Sequence, residues 1–498
     1  MKTMHLLINP RDRRSQISRD IYGHFAEHLG RCIYGGIFVG KDSPIPNTRG
    51  MRNDVVEALR NLAVPVLRWP GGCFADTYHW KSGVGPQEKR QPILNTNWGN
   101  VTEDNSFGTH EFFDLCEQVG AEPYLAANLG SGTVEELSDW IEYITFDGDS
   151  PMANWRRQNG REKPWKLKYI GLGNEAYGCG GNMTCADYAA KYRQYATFCH
   201  EFSGNRLFKV ASGHNEAWAA EIIEALKSDI TPGLAQAITL HYYAFATDSF
   251  AHKGSATAFT DEQYYRTLAS TQDADRAIDR HCKIMDIHDP EGKLALVVDE
   301  WGGWYDVEPG TNPGFLYQQN TMRDALVAAE FLHIFQTHSD RVKMANLAQV
   351  VNVLQAIILT DGDQMLLTPT YHVMEMFKGH MGATLLYSAV DNETENGVRC
   401  LSQCASVRED GSILLTLSNA SLEKNYEICC QLPGVDVSSV CARSPGDARI
   451  LTGDVRACNT FDQPERVKPA PMPVTLENGL IRFTLPRCSV AAVTIKQL

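Results

Sequence analysis

The stretch "KYIGLGNEAYGCGGNMTCADYAAKYRQYAT" (168–197) contains one strand–loop–helix unit of this 498-residue chain. Residues 168–172 form a short apolar run, as in a buried strand, and Gly173 then turns the chain into a loop. In the segment 185–197 apolar residues recur at spacings of three and four, which is typical of a helix that packs on one face. The unit therefore predicts a parallel sheet covered by helices.

The same alternation of short apolar runs and amphipathic helices continues from about residue 20 to residue 380. Eight parallel strands separated by helices favour a closed (β/α)₈ TIM barrel, which we place at residues 18–383. An open, doubly wound α/β sheet is the alternative that this pattern leaves open. The eight predicted strands are 21–25, 64–69, 123–127, 168–172, 208–212, 237–240, 294–298 and 345–351.

After residue 383 the chain has strand-like runs without helices between them, as in "GSILLTLSNAS" (411–421). An Asn-Gly pair within 476–481 is a typical hairpin turn. Residues 384–498 are therefore predicted to form a C-terminal all-β sandwich of jelly-roll-like type. The N-terminal segment 1–17 contains a strand-like piece and is expected to join that sandwich.

The net charge and the cysteines of the chain indicate which binding partners and which cellular compartment to expect. The net charge of −14 gives no indication of a nucleic-acid or anionic-membrane partner. The apolar stretch near the N-terminus is too short for a signal peptide, and no stretch is long enough for a membrane span. Fourteen cysteines without a C-x-x-C pair predict free thiols in a reducing compartment, so we expect a cytoplasmic protein.

Polar side chains lie at or just after the end of nearly every predicted barrel strand. The active site of a barrel is built at the C-terminal ends of its strands, so these side chains are expected to converge. A cluster of this composition could hydrogen-bond a polyhydroxyl ligand. Its members are Glu27, Arg68, Asn128, Asn174, Glu175, His214, Glu216, His241, Tyr243, Asp299, Glu300 and Gln349.

Glu175 and Glu300 follow the fourth and seventh predicted strands. Retaining glycoside hydrolysis needs such a pair, one as acid and one as nucleophile, with carboxyl groups ~5–5.5 Å apart. We expect burial to raise the pKa of the acid, and Arg68 and Tyr243 to keep the nucleophile ionised. Four tryptophans near the predicted mouth offer apolar faces to a sugar ring: Trp69, Trp98, Trp301 and Trp304.

Simpler interpretations exist for each motif. An acidic residue after a strand is usually a helix cap or an ion-pair partner, and only the occurrence of two at strand ends favours catalysis. "GLGNEA" (171–176) fits a dinucleotide fingerprint, but Glu175 would then face a pyrophosphate. His24 and His28 lack metal-ligand spacing, so no metal site is expected. The loop cysteines, interpreted as structural or incidental thiols, are Cys73, Cys179 and Cys185.

Long matches along nearly the whole chain make it resemble the intracellular α-L-arabinofuranosidases of glycoside hydrolase family 51. The matching segments are "IYGHFAEHLGRCIYGGIFVG" (21–40), "VLRWPGGCFADTYHW" (66–80), "TNWGNVTEDNSFGTHEFFDLCEQVGAEPYLAANLGSGT" (96–133), "GLGNEAYGCGG" (171–181), "LHYYAF" (240–245), "VVDEWGGWYD" (297–306) and "ANLAQVVNVLQ" (345–355).

The resemblance implies a retaining, exo-acting enzyme that removes arabinofuranosyl residues from arabinoxylan- or arabinan-derived oligosaccharides without a cofactor. It implies that Glu175 is the acid/base, that Glu300 is the nucleophile, and that Asn174 bonds the sugar 2-hydroxyl. It also implies a homo-oligomer, either a hexamer or a trimer of dimers. The candidate substrate-binding residues are Glu27, Arg68, Cys73, Asn174, Trp98, His241, Tyr243, Trp304 and Gln349.

The sequence departs from part of the family at one position and leaves two other functions open. Cys73 stands where some relatives have an asparagine that reaches the sugar, so a sugar contact at this position stays open. A related retaining glycosidase, such as an endo-glucanase or a β-xylosidase, is the alternative enzyme. A carbohydrate-binding protein without catalysis is the alternative from another class.

Overall fold

The computed structural model describes residues 1–227, 233–434, 440–441 and 447–497. Eight parallel strands close into a barrel, and each pairs with the next one along the chain. The predicted TIM barrel is thus confirmed, and the open-sheet alternative is wrong. The barrel strands, numbered first to eighth in chain order, are Gly23–Phe25, Val66–Trp69, Glu122–Ala127, Tyr169–Leu172, Phe208–Ala211, Ala237–Ala244, Ala295–Gly303 and Val342–Ala348.

Helices surround this barrel and are amphipathic where one side faces solvent. The helix Met322–Thr337 differs, since nearly all of its residues are buried between the barrel and the C-terminal sheet. Within the described residues, no helix has both the length and the apolar character needed to span a membrane. The α-helices are Asn53–Leu62, Thr109–Val119, Val134–Thr145, Pro151–Gln158, Cys185–Thr197, Glu216–Leu226, Asp261–His288, Met322–Thr337 and Pro369–Phe377.

The sixth and seventh barrel strands are longer than the sequence predicted. His241 and Glu300 lie inside them and are paired in register, although both were expected in the loops beyond. Polar side chains end an apolar run in the sequence, but they do not end backbone pairing when their side chains point into a polar cleft. Strand pairing therefore holds two site residues in place.

The C-terminal β-domain is one curled sheet of 11 strands. The N-terminal strand Lys2–Gln16 lies inside this sheet, antiparallel to Thr384–Val390 and parallel to Tyr426–Gln431. Apolar residues from both halves of the sheet form one core, so the curled sheet packs as a sandwich does. The domain boundaries at residues 17/18 and 383/384 stay predictions. The other principal strands are Leu401–Val407, Ile413–Asn419, Ala448–Thr452, Leu480–Leu485 and Ser489–Gln497.

Shorter strands complete the described structure. Four two-stranded ribbons pair Asn47–Thr48 with Met51–Arg52, Ile93–Asn95 with Val101–Glu103, Ile358–Asp361 with Gln364–Leu367, and Thr394–Glu395 with Val398–Arg399. Val440–Cys441, Ala470–Pro471 and Thr475–Glu477 extend the β-domain.

Candidate active site

Glu300 lies deep in the mouth of the barrel, with its side chain 8% exposed. One carboxylate oxygen accepts a hydrogen bond from Arg68 Nη1 at 2.8 Å. The other oxygen accepts one from the Tyr243 hydroxyl at 2.8 Å. A donor on each oxygen stabilises a negative charge at this position, which is what a nucleophilic carboxylate needs.

Arg68 connects several groups of the site. Its Nη2 donates to Asn174 Oδ1 at 2.6 Å, and its Nε lies 3.5 Å from the Asp299 carboxylate. Burial alone would lower the pKa of Arg68, but the carboxylates of Asp299 and Glu300 hold this pKa above its usual value. Because the Asn174 oxygen accepts from Arg68, its amide nitrogen is left as the donor, and this nitrogen lies 3.9 Å from Cys179 Sγ.

Glu175 lies nearer to solvent, with its side chain 26% exposed. It follows the fourth strand and has a φ of 39°, in the left-handed region that side chains seldom adopt. Its carbonyl accepts hydrogen bonds from the N–H groups of Gly178 and Gly180, which hold this turn. One oxygen of Glu175 and one of Glu300 lie within 4.8 Å of each other, which fits the ~5–5.5 Å separation of a retaining pair better than the ~6.5–9.5 Å of an inverting pair.

His241 lies between three carboxylates. Its Nδ1 is 3.0 Å from Glu175 and 3.5 Å from Glu300, and its Nε2 is 3.1 Å from Asp299. Since each ring nitrogen faces a carboxylate oxygen, this arrangement favours the imidazolium form, in which both nitrogens carry a proton. Burial alone would lower the pKa of His241, but Glu300 and Asp299 raise it well above its usual value.

The expected elevation of the Glu175 pKa is wrong for this structure. Burial does raise the pKa of Glu175, but the hydrogen bond from His241 and a bond of 3.0 Å from the Tyr177 hydroxyl lower it below the usual value. The pKa of Asp299 is also lowered: the positive charges of Arg68 and His241 outweigh the effect of burial. The opposite shifts of the two pKa values favour the proton on the imidazole ring over the Glu175 carboxylate.

Glu27 lies at the end of the first strand and accepts four hydrogen bonds. Its donors include the Trp98 indole N–H at 2.9 Å and the Gln349 amide at 2.9 Å. The backbone N–H groups of Gly72 and Phe74 complete the set. Burial and the nearby charge of Glu300 raise the pKa of Glu27 to about 7. The side-chain oxygen of Gln349 is buried and has no hydrogen-bond partner among the described residues.

The four tryptophans predicted near the mouth differ in exposure. Trp69 and Trp301 are fully buried, so neither can offer a face to a ligand. Both side chains point outward from the barrel strands and pack against helices. The position of a residue along the sequence did not predict on which side of the strand its side chain lies. Trp98 and Trp304 are half-buried, and the Trp304 ring packs edge-on against Tyr243 at 5.1 Å.

Cys73 and Cys179 form a disulfide, so their interpretation as separate thiols is wrong. The two cysteines are 106 residues apart in sequence, so no rule based on the spacing of cysteines predicts their pairing. Eleven other described cysteines are free, as predicted. In this state Cys73 has no S–H group to donate to a sugar.

Two residues of the site were not found from the sequence. Asp76 accepts hydrogen bonds from the backbone N–H groups of Leu129, Gly130 and Asn174, and so fixes the loop that carries Glu175. Burial raises the pKa of Asp76 to about 7, although these donors favour the carboxylate. Tyr177 is the second, through its bond to Glu175. Asp76 lies in the short 3₁₀ helix Cys73–Thr77 and Tyr177 in a turn, and neither directly follows a barrel strand.

Three other strand-end residues lie outside this network. Asn128 caps the turn that follows its strand, because its oxygen accepts from the N–H groups of Ser131 and Gly132. His214 stacks on Tyr177 with ring centroids 3.7 Å apart. Glu216 begins a helix on the outside of the barrel and pairs with Arg280.

Family models match most of the chain. Residues 58–263 match the α-L-arabinofuranosidase 1 domain, and residues 299–489 match the α-L-arabinofuranosidase C-terminal domain. A relative from Bacteroides ovatus, named intracellular exo-α-L-arabinofuranosidase, is 47% identical over 508 positions. That alignment covers 99% of this chain and 96% of the relative.

Solved structures give the same result. The GH51 arabinofuranosidase of Xanthomonas axonopodis pv. citri is 40% identical with a TM-score of 0.95, and both chains are covered in full. The α-L-arabinofuranosidase of Thermotoga maritima, solved as an arabinose complex, is 30% identical with a TM-score of 0.86, again over both full chains. A family 44 xyloglucanase from Paenibacillus polymyxa, 11% identical, has a TM-score of 0.62 and shares only the fold.

Proposed function

This chain belongs to the α-L-arabinofuranosidases of glycoside hydrolase family 51, and we propose that Glu175 and Glu300 are its two catalytic carboxyl groups. The enzyme hydrolyses terminal α-L-arabinofuranosyl residues with retention, by double displacement. The observation that carries the assignment is the carboxyl pair itself, with oxygens within 4.8 Å of each other at the ends of two barrel strands.

Exposure and hydrogen bonds support the proposed division of the two roles. Glu300 is the deeper group and has a donor on each oxygen, so it attacks the anomeric carbon as a carboxylate. Glu175 is closer to solvent, so we assign it to the side from which the leaving group departs. It protonates the leaving oxygen in the first step and activates water in the second.

His241 supplies the proton that Glu175 transfers. Attack by Glu300 neutralises its carboxylate, and that charge is the strongest of those that hold the pKa of His241 high. The pKa of the imidazolium therefore falls as the covalent bond forms. The proton then moves from Nδ1 to the Glu175 oxygen 3.0 Å away, and from there to the leaving oxygen. We thus assign His241 to proton supply rather than to sugar binding.

We predict that His241→Gln shifts the alkaline limb of the pH profile of kcat/KM to lower pH. The elevated pKa of His241 keeps one proton on the Glu175–His241 pair well above the pH at which an ordinary histidine loses it. In the variant only Glu175 can hold that proton. Rates on an aryl α-L-arabinofuranoside across the pH range measure the shift.

The control for this variant is His110→Gln. His110 lies in the helix Thr109–Val119, outside the barrel, and its ring is hydrogen-bonded to the Tyr143 hydroxyl. Its pH profile should match that of the unmodified enzyme. An alkaline limb that stays in place in His241→Gln would contradict the proton-supply role.

We predict that Gly72→Ala lowers kcat/KM on the order of 10²-fold, since small displacements of reacting groups have effects of that size. A Cβ atom at Gly72 would lie 2.7 Å from the Glu300 oxygen and 3.4 Å from the Asn174 amide nitrogen. The matched control is Gly453→Ala, where the nearest atom is 4.0 Å away and the rate should not change. An unchanged rate in Gly72→Ala would show that the nucleophile tolerates displacement.

The remaining polar groups bind the arabinofuranose ring. Asn174 directs its amide N–H to the 2-hydroxyl, a bond that strengthens in the oxocarbenium-like transition state. Glu27 and Gln349 accept from other hydroxyl groups, and Trp98 and Trp304 contact the ring and the leaving sugar through their apolar faces. Cys73 contributes a contact of its sulfur, not a hydrogen bond.

Turnover of aryl glycosides tests the proposed activity. We expect release from the α-L-arabinofuranoside and little from β-D-xylosides or β-D-glucosides, because the leaving group and ring must fit this one cleft. Product analysis on defined arabinoxylan and arabinan oligosaccharides then identifies the linkage. Turnover of a β-glycoside alone would favour the related glycosidases, and binding without turnover would favour a carbohydrate-binding protein.

We further propose a cytoplasmic homo-oligomer, hexameric or a trimer of dimers. The Bacteroides ovatus relative is named an intracellular enzyme, which supports the proposed location. The family resemblance supports the proposed oligomer. In the cytoplasm the substrates would be imported oligosaccharides. Light scattering after gel filtration measures the assembly: a monomer mass would contradict it.

A further inference from the structure

The Cys73–Cys179 pair lies beside the proposed acid/base but takes no part in the proposed hydrolysis. The two sulfurs and a carboxylate oxygen of Glu175 lie within 4.8 Å of one another. Cys179 Sγ is 3.6 Å from Glu175 Oε2. Cys179 is exposed, while Cys73 and Glu175 are half-buried, so an ion in solvent can reach all three.

We propose that reduction of this disulfide creates a site for one thiophilic divalent cation, such as Zn²⁺ or Cd²⁺, bound by Cys73, Cys179 and Glu175. A cation bound there holds the Glu175 carboxylate and so stops hydrolysis, an effect that rests on the proposed acid/base role of this residue. The oxidised enzyme cannot form the site, because both sulfurs are already bonded.

The ligand set fits such ions. Zn²⁺ accepts both Cys sulfur and Asp/Glu oxygen as ligands, its tetrahedral sites can combine three protein ligands with a water, and sulfur ligands select soft ions over Mg²⁺ or Ca²⁺. Zn–S bonds of ~2.3 Å place tetrahedral sulfurs about 3.8 Å apart. The Cα atoms of Cys73 and Cys179 are 5.5 Å apart, so rotation of the side chains suffices to open the sulfurs to that distance.

A dithiol can reduce the Cys73–Cys179 disulfide. The dithiol gives two electrons and two protons, becomes a disulfide itself, and leaves Cys73 and Cys179 as thiols. Binding of the cation then releases both thiol protons to solvent. Cytoplasmic thiols are kept reduced, so the proposed location favours the form that binds the cation.

A second cluster competes for the same carboxylate. Glu175, His241 and Glu300 also offer one ligand atom each within 4.8 Å of one another. His241 would have to lose a proton that its three carboxylate neighbours stabilise, so a soft ion prefers the cysteines. The two clusters differ in their response to reduction, which allows one experiment to separate them.

The test compares oxidised enzyme with enzyme reduced by a phosphine and freed of it, both titrated with Cd²⁺. We expect the reduced enzyme to bind one equivalent, seen as thiolate-to-metal charge-transfer absorption, and to lose turnover in parallel until a chelator restores it. The oxidised enzyme and Cys179→Ser should lack the band and be at least tenfold less sensitive. Cys282→Ser, which removes a half-buried thiol elsewhere, should behave like the unmodified enzyme.

Equal sensitivity in both redox states, or in Cys179→Ser, would place the cation on the histidine-containing cluster and overturn the proposal. A disulfide that resists excess phosphine in the folded enzyme would overturn it as well. A full charge-transfer band with undiminished turnover would mean that the cation does not hold Glu175 and would overturn this proposal, whereas the acid/base role of Glu175 is tested separately by the kinetics of Glu175→Ala. The failure of one proposal is thus distinguishable from the failure of the other.

Discussion

Glu300→Ala should lower the rate by about 10⁶-fold, the size of effect seen when a covalent nucleophile is removed. The variant has no group to attack the anomeric carbon, and Arg68 and Tyr243 are left with donors aimed at an empty position. Azide should restore turnover of an activated aryl arabinofuranoside, because the small anion fits where the carboxylate was. The azide product should have inverted configuration, since a single displacement has replaced the double one.

Loss of folding must be separated from loss of chemistry in this variant. Glu330→Ala is the matched control, since Glu330 is a buried carboxylate between the barrel and the β-domain. It should lower the melting temperature without a comparable loss of rate. If Glu300→Ala keeps its activity, or gives a retained azide product, Glu300 is not the nucleophile.

Glu175→Ala should lower the rate on the order of 10²–10⁴-fold for substrates whose leaving group needs a proton. The effect should nearly vanish for a dinitrophenyl arabinofuranoside in the first step, because that leaving group departs without protonation. The second step also slows, so the covalent intermediate should accumulate and give a burst. Stopped-flow measurement of the released phenol shows both effects.

Azide provides a contrast between the two carboxyl variants. In Glu175→Ala it should attack the covalent intermediate and give a product of retained configuration, opposite to that from Glu300→Ala. Equal losses for good and poor leaving groups would contradict the acid/base role. The pH profile of the variant should also lack its alkaline limb.

The barrel and the two carboxyl groups were predictable because both follow from strand periodicity. Apolar runs mark barrel strands, and parallel strands bring their C-terminal ends together, so Glu175 and Glu300 converge although they are far apart in sequence. The same reasoning located Arg68 and Tyr243 correctly. It failed for Trp69 and Trp301, since periodicity finds a strand but not the side to which each residue points.

Features that depend on loop geometry were not predictable. The disulfide and the bonds of Asp76 form between loops that follow different strands, and their contacts arise only after the barrel closes. The charge state of the site was also missed. Burial alone predicts a raised pKa for Glu175, and only the position of His241 between three carboxylates reverses that direction.

The configuration of the first-formed sugar tests the central claim most directly. Proton NMR of an aryl α-L-arabinofuranoside during its hydrolysis, recorded before mutarotation, identifies the anomer that leaves the enzyme. The oxygens of Glu175 and Glu300 lie within 4.8 Å of each other, as a double displacement requires. Its two successive inversions predict that α-L-arabinofuranose is released first. Initial release of the β anomer would mean a single displacement by water and would contradict the proposed roles of Glu175 and Glu300.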